Sequence, residues 1–206
     1  MPLVKRGGDP PPPAVGELDV PSLITTLGSP DADRRWAAAR ALSGRAEAVP
    51  ALASVLAAEP SPRVQEAIMT ALMRVGDQAS VAALLPYLRS PDAGRRGAAI
   101  EALQALPEAT APFMAALFAD PDTDVRILSI EVVRGMPAAN ATRLLCDLLE
   151  REQHPNVCAA AVDVLAEIGT REALPTLQAC ARRFAETPFL PFALSIAIAR
   201  ISDAEG

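Results

Sequence analysis

The sequence of 206 residues predicts an all-α fold, a right-handed solenoid of about six antiparallel helix pairs. Three observations lead to this class. Half of the residues are hydrophobic but only 3% are aromatic, and the abundance of alanine favours close helix packing over β-sheets. Apolar residues recur at the spacing of a helix and not in the alternation of a strand. Prolines in polar loops recur about every 30 residues, and a repeat of that length is typical of a solenoid.

The N-terminal segment differs in composition from the rest of the chain. Residues 1–17 contain paired glycines and the run from Pro10 to Pro13, which cannot form a helix or pack in a core. We therefore expect a flexible tail over residues 1–17 and a single repeat domain over residues 18–206.

Four loop prolines mark the repeat: Pro30, Pro60, Pro91 and Pro121. Each of these loops precedes a segment with an apolar stripe, and a fifth segment aligns with them without gaps. These segments are predicted to be the second helices of their pairs: 34–42, 64–72, 95–103, 125–133 and 157–165. Stretches of the same character between them are predicted to be the first helices: 49–56, 81–88, 112–118, 144–149 and 174–184.

Polar residues and glycines predict where the second helices begin and end. Loop aspartates precede the helix starts, where a carboxylate accepts hydrogen bonds from unpaired backbone N–H groups. Each is also four residues before an arginine, an attractive spacing, so the expected ion pairs are Asp31–Arg35, Asp92–Arg96 and Asp122–Arg126. Glycines in the left-handed conformation are expected to end the helices: Gly44, Gly76, Gly135 and Gly169.

The loop pattern Pro-Asp-x-x-Val-Arg is present from Pro121 to Arg126. Across the repeats, the loop is followed by an Ala-rich helix with Ala-Leu near its end and then by a glycine. This pattern resembles HEAT-like repeats of the bilin-lyase type. The resemblance covers roughly residues 18–203 and implies a HEAT- or armadillo-like superhelix whose second helices line a concave surface. The last unit, Pro188 to Ile201, lacks the loop motif, and we interpret it as a C-terminal cap.

The resemblance and the helical period together predict a binding surface on the second helices. Residues at positions i, i+4 and i+7 of the aligned segments share one side of each helix. The predicted partner-binding residues are Trp36, Arg40, Glu66, Thr70, Met73, Glu101, Gln104, Ile127, Glu131, Arg134 and Asp163.

The middle column of this surface carries three carboxylates on adjacent helices, those of Glu101, Glu131 and Asp163. A row of one charge sign complements the opposite sign, so we expect a protein partner with a basic surface. The alternative interpretation is a solvated face of an acidic protein. Trp36, the only tryptophan, is either an interface anchor or a structural residue that packs under the tail or caps the open N-terminal end.

Composition argues against several other functions. A net charge of −6 disfavours a sequence-independent nucleic-acid binder, and no apolar run reaches the roughly 18 residues of a membrane span. The three cysteines lie in apolar helical segments: Cys146, Cys158 and Cys180. Because the sequence also shows no signal-peptide pattern, we expect reduced thiols in the core of a cytoplasmic protein. His154, the single histidine, lacks a zinc-ligand spacing to the cysteines, and we expect no metal, no other cofactor and no catalytic residue.

The sequence therefore predicts a non-catalytic scaffold or adaptor that docks onto a protein of a larger bacterial assembly. The resemblance leaves a main alternative, a bilin-lyase-like chaperone or lyase subunit that acts on a tetrapyrrole-carrying protein. A second, a HEAT-like DNA glycosylase, needs a basic groove lined with aromatic residues, whereas this surface is acidic and has one aromatic residue.

Overall fold

A computed structural model of the chain describes residues 18–203, which form helices in six consecutive pairs. The predicted tail over residues 1–17 and the last three residues of the predicted domain lie outside the described residues. The first helices are α1 (Val20–Thr26), α3 (Val49–Ala58), α5 (Gln78–Leu84), the short α7 and α8 (Pro107–Thr110 and Met114–Phe118), α10 (Ala138–Arg151) and α12 (Leu174–Arg183). The second helices are α2 (Ala32–Ala41), α4 (Pro62–Val75), α6 (Ala93–Gln104), α9 (Thr123–Val132), α11 (Pro155–Ile168) and α13 (Leu190–Asp203).

This arrangement confirms the all-α solenoid. No strand occurs within residues 18–203, and each predicted segment overlaps its helix. One buried apolar cluster extends from Leu23 in α1 to Ile201 in α13, so neighbouring pairs share their core. Two first helices contain 3₁₀ turns, Leu85–Arg89 after α5 and Ala111–Phe113 between α7 and α8. Each turn contains a proline, which cannot donate the backbone hydrogen bond that continues an α-helix.

The loop aspartates cap the second helices as predicted. Each carboxylate accepts a hydrogen bond from a backbone N–H in the first turn, where no carbonyl is available. The Oδ1···N distances are 2.9 Å from Asp31 to Asp33, 2.8 Å from Asp92 to Arg95 and 2.9 Å from Asp122 to Asp124. His154 takes the same role in the fifth unit, since its Nδ1 accepts from the N–H of Asn156 at 3.3 Å.

The predicted ion pairs between these aspartates and the following arginines are wrong. No such pair occurs among the ion pairs of residues 18–203. Arg35 turns under its own loop, donates to the carbonyl of Ser29 at 2.9 Å, and binds the Glu59 carboxylate of the next loop at 2.8 Å. Arg126 binds Glu152 in the same way, also at 2.8 Å. The backbone carbonyls of the loop need hydrogen-bond donors, and the arginine guanidinium groups provide them. Because the same guanidinium groups bind a carboxylate of the next loop, they also join consecutive units.

This contact recurs at one position of five successive units. The side chain at that position donates to the backbone carbonyl six residues earlier, whatever its chemical type. The pairs are Arg35 with Ser29, Gln65 with Glu59, Arg96 with Ser90, Arg126 with Asp120 and Cys158 with Glu152. Units that depart from the Val-Arg pattern therefore keep the same loop contact.

The prediction for the glycines is confirmed at two positions and wrong at two. Gly44 and Gly76 have φ of +78° and +70°, the left-handed conformation that ends a helix at low cost. Gly169 has an extended backbone with φ −68°. Gly135 lies in the 3₁₀ turn Val133–Gly135, where a Cβ atom would be 2.1 Å from the carbonyl oxygen of Gln104. At Gly135 the reason for glycine is therefore close packing of two backbones.

The last helix, α13, packs against α11 and α12 through buried Leu190, Leu194 and Ile201. Its other side differs from the polar outer face that is typical of a capping repeat. Phe192 is 71% exposed, and Phe189 and Ile196 are also exposed. The last unit therefore covers the core as a cap does, but its outer side is apolar and not polar.

Candidate partner-binding surface

The eleven predicted binding residues lie on second helices or directly after one, and none of them is buried. They are Trp36 and Arg40 on α2, Glu66, Thr70 and Met73 on α4, Glu101 and Gln104 on α6, Ile127 and Glu131 on α9, Arg134 in the turn after α9, and Asp163 on α11. Each second helix contacts the next one directly. Their exposed sides are therefore continuous, and we call this surface the second-helix face.

A pocket of about 440 Å³ opens between α2 and α4 at the N-terminal end of this face. We call it the N-terminal pocket. Its lining residues are Trp36, Arg40, Ser43, Arg63, Glu66, Ala67, Thr70 and Arg74. The structure thus brings together four of the predicted residues, two from each helix, in a concave site of the size that suits a small group of side chains.

Trp36 is the centre of the N-terminal pocket. Its ring packs partly against the core, and two guanidinium groups lie over it, that of Arg40 at 4.7 Å and that of Arg63 at 4.2 Å from the ring centroid. Such cation–π contacts hold an arginine side chain in place while its N–H groups still point outward. Part of the ring is therefore packed and part lines an open site, and the role of Trp36 as an interface anchor stays a prediction.

A second group of side chains surrounds Arg134 on the C-terminal half of the face. The Arg134 guanidinium binds Glu131 at 2.8 Å and Asp163 at 2.9 Å, and it also pairs with Glu167. Burial opposes the charged form of Arg134, but the hydrogen bonds and charges of these carboxylates outweigh it and raise the pKa of the guanidinium. We call Glu131, Arg134, Asp163 and Glu167 the C-terminal cluster. It links α9 to α11.

Three predicted residues have other contacts. Gln104 donates from Nε2 to the backbone carbonyl of Glu131 at 2.8 Å, so its amide joins α6 to α9. Met73 is half-buried against the core. Ile127 borders a separate cavity of about 310 Å³ that Arg89 and Asp122 also line. These three side chains are therefore less available to a partner than the pattern predicted.

Sequence reasoning missed three charged residues of the surface, Arg63, Arg74 and Glu167. Arg74 and Glu167 follow the predicted residues Thr70 and Asp163 by four positions, and Arg63 precedes Glu66 by three. Positions at i+3 and i+4 are neighbours on a helix, so extending the same stripe by one turn would have found all three.

The residues that were considered for metal binding have structural contacts. His154 caps α11, and the Cys158 thiol donates to the carbonyl of Glu152 at 3.7 Å. Cys158 and Cys180 are buried, whereas Cys146 is half-buried. Within residues 18–203, no three histidine, cysteine or carboxylate side chains are arranged to hold a metal ion. None of the helices described has the length and apolar character that crossing a bilayer requires.

Three of the solved structures that are similar to this chain are repeat proteins or a complex of a lyase. The archaeal HEAT-like repeats protein from Thermococcus onnurineus NA1 is 15% identical, with a TM-score of 0.50 over 91% of this chain and 88% of that chain. A designed armadillo repeat protein in complex with the peptide (KR)4 is 17% identical, with a TM-score of 0.44 over 89% and 100% of the two chains. The CpcE–CpcF complex of phycocyanin lyase from Nostoc sp. PCC7120 is 17% identical, with a TM-score of 0.35 over 97% and 100%.

No curated protein matches the chain significantly in sequence. A family model does match it: the model for HEAT repeats aligns with residues 20–104 and 110–186. These two stretches cover most of the chain and contain the helices from α1 to α12, except for most of the short α7. The chain belongs to the HEAT-repeat family.

Proposed function

We propose that this protein is a scaffold that binds a segment of another protein on the second-helix face. One observation carries the proposal: consecutive second helices carry charged side chains that are not buried, with arginines at the N-terminal end and carboxylates in the C-terminal half. Side chains from distant parts of the sequence are thus aligned along a single surface, as a bound segment requires.

The packing of the helices supports the choice of this face. The second helices contact one another more extensively than the first helices do. A stack is expected to curve toward its more closely packed helices, and we infer that the second-helix face is the concave one. Concave surfaces of this kind are what repeat proteins use to bind extended partners.

Electrostatics supports a basic partner for the C-terminal half. Glu101 is exposed and has no ion pair among the described residues, and the C-terminal cluster holds three carboxylates around one guanidinium. This half of the face therefore has an excess of negative charge, because its carboxylates outnumber the one guanidinium that pairs with them. A partner segment with lysine or arginine residues complements that surface.

The test is a differential capture experiment with two tagged variants. The first carries Glu101→Gln, Glu131→Gln and Asp163→Asn. Neutral replacements are preferable to lysine, because lysines beside Arg134 would add repulsion and confuse stability with binding. We expect this variant to retain a true partner about tenfold less than the unmodified protein, since three attractive charges are removed.

The matched control carries Asp147→Asn, Glu150→Gln and Glu172→Gln, three exposed residues of α10 and of the turn before α12. It has the same net charge as the first variant but an intact second-helix face. Proteins captured from the native cell by the control, and lost with the first variant, are partners of this face. Identical captured proteins in identical amounts would contradict the proposal.

A further inference from the structure

We infer that the N-terminal pocket receives a carboxylate group of the bound polypeptide, so that the partner segment is acidic at one end and basic at the other. The inference rests on the proposed function and specifies the partner further. It differs from the expectation of a basic partner alone, because the two ends of the second-helix face carry opposite charge.

The first argument is the charge of the pocket. Arg40, Arg63 and Arg74 line it, and Glu66 is its only carboxylate among the described residues. Arg63 pairs with Asp33 at 2.7 Å, and Asp33 is an exposed residue that does not line the pocket. Within residues 18–203, Arg40 and Arg74 have no ion-pair partner. The pocket therefore has unused positive charge, although the protein as a whole has a net charge of −6.

The second argument is the way in which Trp36 holds the guanidinium groups. Arg40 and Arg63 both lie over one indole ring, at 4.7 and 4.2 Å from its centroid. The stacking restricts both side chains before a ligand arrives, so less conformational entropy is lost on binding. Both cations contact the same ring, and a nearby anion would reduce the repulsion between them. A guanidinium offers parallel N–H donors that match the two oxygens of a carboxylate.

Two residues that line the pocket also carry hydroxyl groups. Ser43 Oγ is buried and has no hydrogen-bond partner among residues 18–203. Thr70 adds a second hydroxyl to the lining. Arginines, hydroxyl groups and one aromatic ring form a lining suited to a carboxylate-bearing side chain or a chain end, rather than to an aliphatic group.

The spacing of the two charged regions sets the length of the partner segment. The N-terminal pocket lies between α2 and α4, and the C-terminal cluster lies between α9 and α11. Three spacings of packed helices separate them, about 27 Å in all. An extended peptide spans this distance with about eight residues. The acidic and basic groups of the partner are therefore expected about eight residues apart.

The experiment uses synthetic peptides and the full chain at low ionic strength, where screening is weak. Trp36 is the only tryptophan, so its fluorescence reports directly on the N-terminal pocket. The bipolar peptide has two glutamates and two arginines centred eight residues apart in a Gly-Ser background, made in both chain directions. The basic peptide has glutamine in place of both glutamates. We expect the better bipolar peptide to change Trp36 emission and to bind about fivefold more tightly than the basic peptide, as one or two exposed ion pairs provide.

A double variant tests the residues. Arg40→Gln with Arg74→Gln is expected to remove the advantage of the bipolar peptide while leaving the affinity for the basic peptide unchanged or higher. The matched control, Arg143→Gln with Arg182→Gln, removes two exposed arginines from the first helices α10 and α12 and is expected to keep the advantage. Circular dichroism and thermal melting verify that both variants are folded.

The outcomes separate this inference from the proposed function. Equal affinity for the bipolar and basic peptides would overturn the inference and leave the proposed function standing. Failure of both peptides to bind would contradict the proposed function and, with it, the inference. If millimolar inorganic phosphate alone changed Trp36 emission as much as the bipolar peptide does, the pocket would be a general anion site and the inference would be wrong.

Discussion

At the scale of single residues, the most informative contact is the pair between Arg35 and Glu59. The Glu59 side chain is almost completely buried, and the guanidinium of Arg35 binds both of its oxygens at 2.8 Å. The hydrogen bond from Arg35, with a smaller contribution from the N–H of Ser61, holds the pKa of Glu59 below its ordinary value of 4.5. A carboxylate whose pKa is lowered by folding stabilises the folded state above that ordinary value, and the stabilisation is lost as the pH falls through the lowered pKa.

We predict that Glu59→Gln lowers the free energy of unfolding at neutral pH by about 2 kcal/mol, because Arg35 loses its charged partner. The difference from the unmodified protein is expected to shrink as the pH falls below 4.5, where Glu59 becomes protonated as well. Denaturation by urea at several pH values measures both quantities.

Glu47→Gln is the matched control for Glu59→Gln. Glu47 is an exposed glutamate in the turn before α3, and its replacement is expected to change stability by less than about 0.5 kcal/mol at any pH. A stability loss in Glu59→Gln that stayed constant down to acid pH would contradict the role of the charge.

At the scale of helices, the turn after α9 packs directly on the end of α6. Gly135 in this turn lies against the backbone of Gln104, and the Gln104 amide reaches the carbonyl of Glu131 at 2.8 Å. Arg134, the central residue of the C-terminal cluster, directly precedes Gly135. The close approach of the backbones at Gly135 and Gln104 therefore joins α9 to α6 and also sets the position of the neighbouring Arg134.

We predict that Gly135→Ala destabilises the protein by about 3 kcal/mol, because a Cβ atom 2.1 Å from the Gln104 oxygen forces the two backbones apart. Gly97 on α6 provides the control, since a Cβ atom there has no neighbour within 4 Å. Gly97→Ala is expected to stabilise the protein by about 0.5 to 1 kcal/mol through higher helix propensity. Changes of opposite sign in the free energy of unfolding, measured by urea denaturation, would support this packing. Equal changes in the two variants would contradict it.

At the scale of the whole molecule, stability depends on contacts between neighbouring pairs. The buried apolar cluster is continuous from α1 to α13, so no pair has a core of its own. The contacts of α13 with α11 are among the most extensive between any two helices of residues 18–203. Removing a terminal pair thus exposes apolar surface of its neighbour.

We predict that deletion of residues 186–206, which contain α13, causes aggregation or a lower melting temperature. Deletion of residues 2–16 is the control, and because we expect these residues to be a flexible tail, the melting temperature should not change. A chain without α13 that melts like the intact protein would show that the last helix contributes no stability. A large effect of the N-terminal deletion would contradict the tail prediction.

Much of the fold was predictable because its causes are local. The loop prolines, the capping aspartates and the 3.6-residue apolar period each act within a few residues, and the predicted second helices match α2, α4, α6, α9 and α11. The partners of Arg35 and Arg126 were not predictable in this way. Local spacing favoured aspartates four residues earlier, whereas the actual carboxylates lie 24 and 26 residues later in the chain.

The sequence by itself determined the class of the protein, the order of its helix pairs and the side of each second helix that is not buried, because hydrophobic periodicity and capping are properties of short segments. Only the tertiary structure decided which charges meet across neighbouring helices. It placed Arg40 and Arg63 over one tryptophan ring, and Arg134 among three carboxylates. Those distances depend on how the pairs stack, and stacking is set by the shared core rather than by any single segment.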